Sequence, residues 1–332
     1  MFHPDYLQML RDLRIYAYGI KLDMNASGVL STSVTSFFLK TLMASGFTTD
    51  DPEEAHLFFV PLLPPLDPSV DRKGASRYIR NLRAVFPFWN RTLGADHFFL
   101  SCDGVGVDSD RNLVELKKNS VQISCFPVKN APENLFVPHK DVTLPPLVEG
   151  LSDMEVDGMA EKVLAYYARS TEDGDDDELA SYLKELESLT DFVIESRPSD
   201  PTTYSHRLSS SRFCLFFHGA GRRDWDIWSA MRHGCVPVFI CSRPILDLPF
   251  ADVLRWRGLA LAVAMDGGAN RLVRVLEDTL SGSYKTMRDL GRQASVHLRW
   301  NFIPQPYDAF HTVMYQLWRR RHVVRYARRL RD

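Results

Sequence analysis

Short apolar runs alternate along this chain with stretches whose apolar residues recur every three or four positions. The two periods predict strands and helices in turn. Arg14-Ile-Tyr-Ala-Tyr18, β-branched and aromatic, predicts a first strand. Ser31 to Ala44 follows, with Val34, Phe37, Phe38 and Leu42 at helical spacing. His56 to Leu62, Asp96 to Leu100 and Val121 to Phe126 read as further strands, and Arg72 to Phe86 as a helix. This alternation implies an α/β domain on a mainly parallel sheet.

The pattern resumes in the second half. Phe213 to Phe217 is a strand, His218-Gly-Ala-Gly-Arg-Arg223 a loop, and Asp224 to His233 a helix that Gly234 ends as a left-handed cap. Cys235 to Ile240 and Leu259 to Ala264 are apolar runs. Helices are then predicted at Asn270 to Leu280, Tyr284 to Trp300 and Asp308 to the end, the last carrying seven arginines from Arg319 onward. A basic C-terminus complements its own helix dipole. The boundaries expected are an N-terminal domain over 1–150, an acidic linker over 151–200, a second domain over 201–305, and a basic terminal helix over 306–332.

The linker is acidic, most densely at Glu172 to Glu178. Asp175-Asp-Asp177 has the D-x-D form that could hold a divalent ion. An EF-hand does not fit: counting from Asp173, the sixth position is Glu178 and the twelfth Lys184. Asp176 or Asp177 capping a helix from Glu178 to Leu189 accounts for the acids, so no metal site is assigned.

Composition narrows the function classes. Forty basic against forty-two acidic side chains over 332 residues leave a net charge of −2, so no overall field selects nucleic acid. Leu57 to Leu66, the most apolar stretch, is interrupted by three prolines and is far short of the ~20 residues of a membrane span. Met1 to Tyr18 contains Asp5, Arg11, Asp12 and Arg14, unlike a secretion signal. The five cysteines form no C-x-x-C pair; four lie in or beside apolar strand-like runs and read as buried thiols. Asn25-Ala-Ser27 and Asn90-Arg-Thr92 are sequons, with meaning only in a secretory compartment.

A strand, a glycine loop and a helix form the geometry in which backbone N–H groups meet a phosphate. Gly219 and Gly221 allow close approach, and Arg222 and Arg223 could pair with a diphosphate. Asp224 stands where the dinucleotide fingerprint needs a third glycine, which argues against a nucleotide-dependent oxidoreductase.

At these residues the chain resembles the exostosin family of glycosyltransferases. Ser211-Arg-Phe-Cys-Leu-Phe-Phe-His-Gly219, His233-Gly-Cys-Val-Pro-Val238 and Leu248-Pro-Phe-Ala-Asp-Val-Leu254 follow the family's order of motifs. The first half agrees at Pro52 to Pro61, at Phe86-Pro-Phe-Trp-Asn-Arg-Thr92 with Asp96-His-Phe98, and at Asp141-Val-Thr-Leu-Pro-Pro146; Tyr307-Asp-Ala-Phe310 completes the series. The resemblance implies a GT-B architecture, with two Rossmann-like domains facing a cleft and the C-terminal helix packing back on the first. It further implies transfer of a sugar from a nucleotide-diphosphate donor, commonly a UDP-sugar, to a polysaccharide or glycoprotein glycan. It implies no metal ion or other cofactor, a Golgi setting, a membrane tether outside this chain, and room for a hetero-oligomer with another glycosyltransferase.

By the same resemblance the donor side comprises Arg212, His218, Gly219, Gly221, Arg222, Arg223 and Ser229. The family's helix before G-C-V-P-V usually reads S-x-R-x-x-E-A. Here Ser229 replaces the glutamate, which in that pattern resembles a ligand of the donor's ribose hydroxyls, and Asp226 replaces the arginine. These departures raise a rival reading: a catalytically impaired homologue that supports a partner or binds glycan. For an inverting transfer a base is needed near the acceptor hydroxyl. Asp103, following Phe98-Phe-Leu-Ser-Cys102 at the carboxyl end of a strand, fits that place, with His97 as the second candidate.

Overall fold

The computed structural model describes residues 3–19, 34–62, 71–102, 104–105, 110–128, 136–147, 163–169, 177–217, 226–241 and 245–321. The chain divides into two compact units, 1–145 with 300–332, and 146–299. Each is built on its own parallel sheet, as the expected α/β class requires.

The sheet of the first unit comprises β1 (Ile15–Ala17), β2 (Thr48–Thr49), β3 (Leu57–Val60), β4 (His97–Leu100), β5 (Val121–Cys125) and β6 (Val142–Leu144), in the order β2-β1-β3-β4-β5-β6. β3 and β4 are buried at every residue, because helices cover both faces of a parallel sheet and leave no polar side. The helices are α1 (His3–Asp12), α2 (Val34–Ala44), α3 (Arg72–Val85), α4 (Phe88–Thr92) and α5 (Arg111–Asn119). Asp71 starts α3 by accepting the amide of Gly74 at 2.9 Å, and Asp110 does the same for α5 at Asn112 and Leu113. Ala75, Ile79 and Leu82 of α3, and Leu113 and Leu116 of α5, pack into one core with Phe58, Val60 and Phe99.

The second unit holds β7 (Val163–Arg169), β8 (Phe192–Ser196), β9 (Ser211–Phe217), β10 (Val236–Ile240) and β11 (Leu261–Val263), in the order β11-β10-β9-β7-β8. Its helices are α6 (Asp177–Glu187), α7 (Pro201–Ser209), α8 (Ile227–Arg232), α9 (Gly268–Ser281) and α10 (Tyr284–Ala294). Leu179 and Leu183 of α6, with Leu272 and Leu276 of α9, cover one face over Phe213, Leu215 and Phe217. Tyr204 and Leu208 of α7, with Ala230 of α8, cover the other over Tyr166 and Cys214. The alternation of partners along β9 is the two-residue period of a strand.

The last helix, α11 (Ala309–Arg319), belongs to the first unit, as expected for the returning C-terminus. Asp308 caps it, accepting from His311 N–H at 3.0 Å. Tyr307 stacks on Tyr6 of α1 with ring centres 4.3 Å apart, and the Trp318 indole donates to Asp5 at 3.1 Å. Arg320 donates to the carbonyls of Lys140 and Asp141. Among the described residues, no helix is long and apolar enough to cross a membrane.

Two expectations need correction. Residues 151–200 are not a linker: β7 lies between β8 and β9 in the second sheet, α6 covers it, and the unit begins at 146. The acidic composition of this stretch concealed Val163–Arg169 and Phe192–Ser196, strands that pair with and pack on segments distant in sequence. Four cysteines are also not thiols. Cys102 is bonded to Cys125 and Cys214 to Cys235, with Cα atoms 4.6 and 5.7 Å apart; Cys241 is the buried free thiol. Each bond joins neighbouring parallel strands or their ends, a proximity set by strand order and not by spacing in the chain.

Candidate active site

Both sheets share one topology. The orders β2-β1-β3-β4-β5-β6 and β8-β7-β9-β10-β11 each begin with the second strand outside the first, then cross over to the third. In a doubly wound sheet of this kind, ligands bind beyond the carboxyl ends of the strands where the winding changes direction. That point lies between β1 and β3 in the first unit and between β7 and β9 in the second.

In the second unit, β9 ends at Phe217 and α8 is capped by Asp226. His218, Gly219, Gly221, Arg222 and Arg223 fall between them and lie outside the described residues, as does Asp103 in the first unit. The framework on either side is described. Asp226 is 2% exposed and accepts the Ser229 amide at 2.9 Å. Its other oxygen meets Arg197, the residue after β8, at 3.3 Å. Burial pushes the Asp226 carboxyl above its ordinary range, opposed by hydrogen bonding from Ser229 and by the Arg197 charge. Asp226 therefore serves as a paired helix cap. A bound diphosphate would meet a carboxylate already engaged by two partners, so the substitution of the family's arginine does not present an uncompensated negative charge.

Arg197 also lies over the Tyr204 ring, 4.5 Å from its centre. Beside it, Glu195 accepts two hydrogen bonds from Arg207, at 2.9 and 3.1 Å, and one from the Tyr166 hydroxyl at 3.3 Å. A cavity at this edge is lined by Tyr166, Arg197, Tyr204, Leu208, Phe216 and Asp226. Reading along the sequence missed Arg197, Glu195 and Tyr166. The signal for Arg197 was a basic residue directly after Phe192-Val-Ile-Glu-Ser196, hidden because that run sat inside an acidic stretch.

Three of the assigned site residues are described in the structure. Ser229 has no exposure and its amide is spent on Asp226, so it stands in the interior of α8's packing. Arg212 is at the amino-terminal end of β9. At ~3.3 Å per residue it sits about 17 Å from Phe217, where the glycine loop departs. His97 has no exposure either. Its Nδ1 is 2.7 Å from Asp96 and its Nε2 2.8 Å from the Tyr18 hydroxyl, with the ring between Phe58, Tyr18 and Trp89. With Nδ1–H donated to Asp96, Nε2 accepts from Tyr18, and neither nitrogen is left to take an acceptor's proton. Asp96, itself wholly buried, also accepts from Thr92 at 2.5 Å and pairs with Arg91 at 3.4 Å. His97 is thus a structural histidine of the first unit.

The two residues before Asp103 are tied to β5. Ser101 donates its amide to Ile123 at 2.9 Å, and Cys102 is tied to Cys125 at the end of β5. These bonds hold the carboxyl end of β4.

Comparison with known proteins shows the family. The Exostosin GT47 domain family matches residues 9–278. A probable glycosyltransferase of Arabidopsis thaliana is 27% identical over 97% of this chain, which spans 64% of that relative's length. A probable beta-1,4-xylosyltransferase of the same plant is 25% identical, over 86% of this chain and 74% of its own length. Among solved structures, the calicheamicin glycosyltransferase CalG4 covers 80% of this chain and 73% of its own at 12% identity, with a TM-score of 0.37, too slight a likeness to carry an argument. With the match extending over most of its length, the chain belongs to the Exostosin GT47 domain family of glycosyltransferases.

Proposed function

We propose that this chain transfers a sugar from a nucleotide-diphosphate donor, a UDP-sugar, to a polysaccharide or glycoprotein glycan, without a bound metal ion. The observation that carries the reading is the strand order of the second unit. β9, which residues 218–225 follow in the chain, borders the change of winding beside β7. Glycines at 219 and 221 let the backbone approach a diphosphate, and Arg222 and Arg223 supply bidentate donors to it. In the transfer, the acceptor hydroxyl attacks the anomeric carbon and gives up its proton as the bond to the diphosphate oxygen breaks. Asp103 is the base that takes that proton, and the two arginines neutralise the charge left on the departing diphosphate.

A relative named as a probable beta-1,4-xylosyltransferase supports a sugar donor. We assign the chain to the Golgi lumen; the two disulfides support an oxidising compartment.

Calorimetric titration of UDP, with GDP as control, into the wild type and an Arg222→Ala/Arg223→Ala variant tests the reading. Micromolar UDP binding that collapses in the variant is expected. Absence of UDP binding to the folded wild type would overturn it.

A further inference from the structure

At the opposite, amino-terminal edge of the second sheet, three arginines gather without an ion-pair partner among the described residues. Arg288 and Arg292 lie four residues apart on one face of α10, and Arg212 is the second residue of β9. The β9–β10 register pairs Phe213 with Val236, which sets Gly234 just beyond Arg212 at this edge. A Cβ on Gly234 would stand 2.7 Å from Nε of Arg292 and 3.0 Å from Nε of Arg288. Both guanidinium groups therefore converge on the space that this glycine leaves open. Gly234 has a φ of +74°, so the sequence reading of a left-handed cap after α8 holds, and the same residue makes room for the two side chains.

Two like charges brought to one point repel, and a protein ordinarily answers with a carboxylate. Among the described residues, no carboxylate lies within ion-pair distance of Arg212, Arg288 or Arg292. Asp289 influences the neighbouring Tyr284 but is exposed and pairs with none of them. Two donors here are also buried without an acceptor: Nε of Arg288 and the hydroxyl of Tyr284. Unsatisfied buried donors are rare in folded proteins. The Tyr284 phenol is pushed up by burial and held back by Arg288, Arg212 and Arg292, so all three charges reach the same hydroxyl.

We propose that Arg288, Arg292 and Arg212, with the Tyr284 hydroxyl, form a second anion site that takes a compact oxyanion group. Its chemistry suits a phosphate, or the carboxylate or sulfate of an acidic sugar, since guanidinium forks match planar and tetrahedral oxyanions alike. About 17 Å of strand separates it from the edge where residues 218–225 depart, so it is a different site from the donor's. An acidic sugar bound here would be gripped away from the reacting end, and inorganic phosphate would occupy it as a free ion.

The test is calorimetric titration of the full chain with inorganic phosphate and, separately, with glucuronate and a sulfated disaccharide, at constant ionic strength in chloride. Phosphate is expected to bind the wild type and to be weakened about tenfold or more by Arg288→Gln and by Arg292→Ala, the second an exposed position that folding tolerates. Arg111→Ala, an exposed arginine of the first unit, and Arg222→Ala/Arg223→Ala should leave at least one phosphate equivalent bound as in the wild type. Competition by glucuronate or the sulfated sugar assigns the site to an acidic glycan, and phosphate alone assigns it to the free ion. Equal phosphate binding in the Arg288 and Arg292 variants, or none in the wild type, overturns the proposal.

Discussion

Arg197, at the end of β8, reaches the buried carboxylate of Asp226 at 3.3 Å, across the strand order that sets β8 and β9 on either side of β7. One oxygen of that carboxylate holds the first turn of α8 and the other meets the guanidinium. The helix after the glycine loop is thereby tied to the far end of the sheet.

Removing Arg197 leaves that carboxylate buried and without its counter-charge. Arg197→Ala is expected to destabilise the protein by about 2–4 kcal/mol at pH 7. Burial raises the folded pKa of Asp226, so its contribution is most favourable at low pH and is lost as the pH rises through that value. The deficit of the variant should therefore be smaller at lower pH than at pH 7, and Asp226→Asn, which can still cap α8, should remove the pH dependence. Urea unfolding at the two pH values measures this, and an equal deficit at both would refute the assignment.

His97 joins Tyr18 and Asp96 in the interior of the first unit. His97→Ala should cost about 3–5 kcal/mol, because it opens a cavity among Phe58, Trp89 and Tyr18 and takes one hydrogen-bond partner from each of the buried Tyr18 hydroxyl and Asp96 carboxylate. Turnover per folded molecule should stay within a few-fold of the wild type. A correctly folded variant with stability intact and turnover abolished would restore His97 to the chemistry.

Asp308 ties α11 to the first unit. Burial raises its carboxyl pKa, but hydrogen bonds from His311, Gln305 and Asn301 outweigh that and hold it below the usual range. A lowered folded pKa gives stability that is present above the ordinary carboxylate range and lost as the pH falls through the folded value. Asp308→Ala is expected to lose about 2–4 kcal/mol at pH 7, from the cap and two stranded donors. Thermal unfolding should show the gap between wild type and variant closing only in strong acid.

The cysteines give a count. Denatured without reductant, the chain should react with one equivalent of maleimide at Cys241, and with five after reduction. Cys214→Ser/Cys235→Ser should lose about 3 kcal/mol of stability, for a closed loop of this length. Five reactive thiols before reduction would exclude both bonds.

Most elements whose apolar residues are consecutive in the chain were readable as such. Phe213 to Phe217, Val121 to Cys125 and Arg72 to Val85 carry a two-residue or 3.6-residue period strong enough to declare itself. The family motifs were equally plain, and several of them prove to hold the fold: Asp96 and His97 form a core network, Asp308 caps α11, and Tyr307 stacks on Tyr6. β7 and β8 escaped because their neighbours are acidic and their burial comes from α6, α7 and β9.

The local pattern was sufficient for the class of fold, the glycine loop after β9 and the cap at Gly234, since each follows from residues within a few positions of one another. Strand order, the pairing of Cys102 with Cys125 and of Cys214 with Cys235, and the contact of Arg197 with Asp226 depend on which strands lie side by side. The convergence of Arg212, Arg288 and Arg292 depends on it too. A hydrophobic period records only that one face is buried, and not what buries it; the partner is selected by packing among segments far apart in the chain.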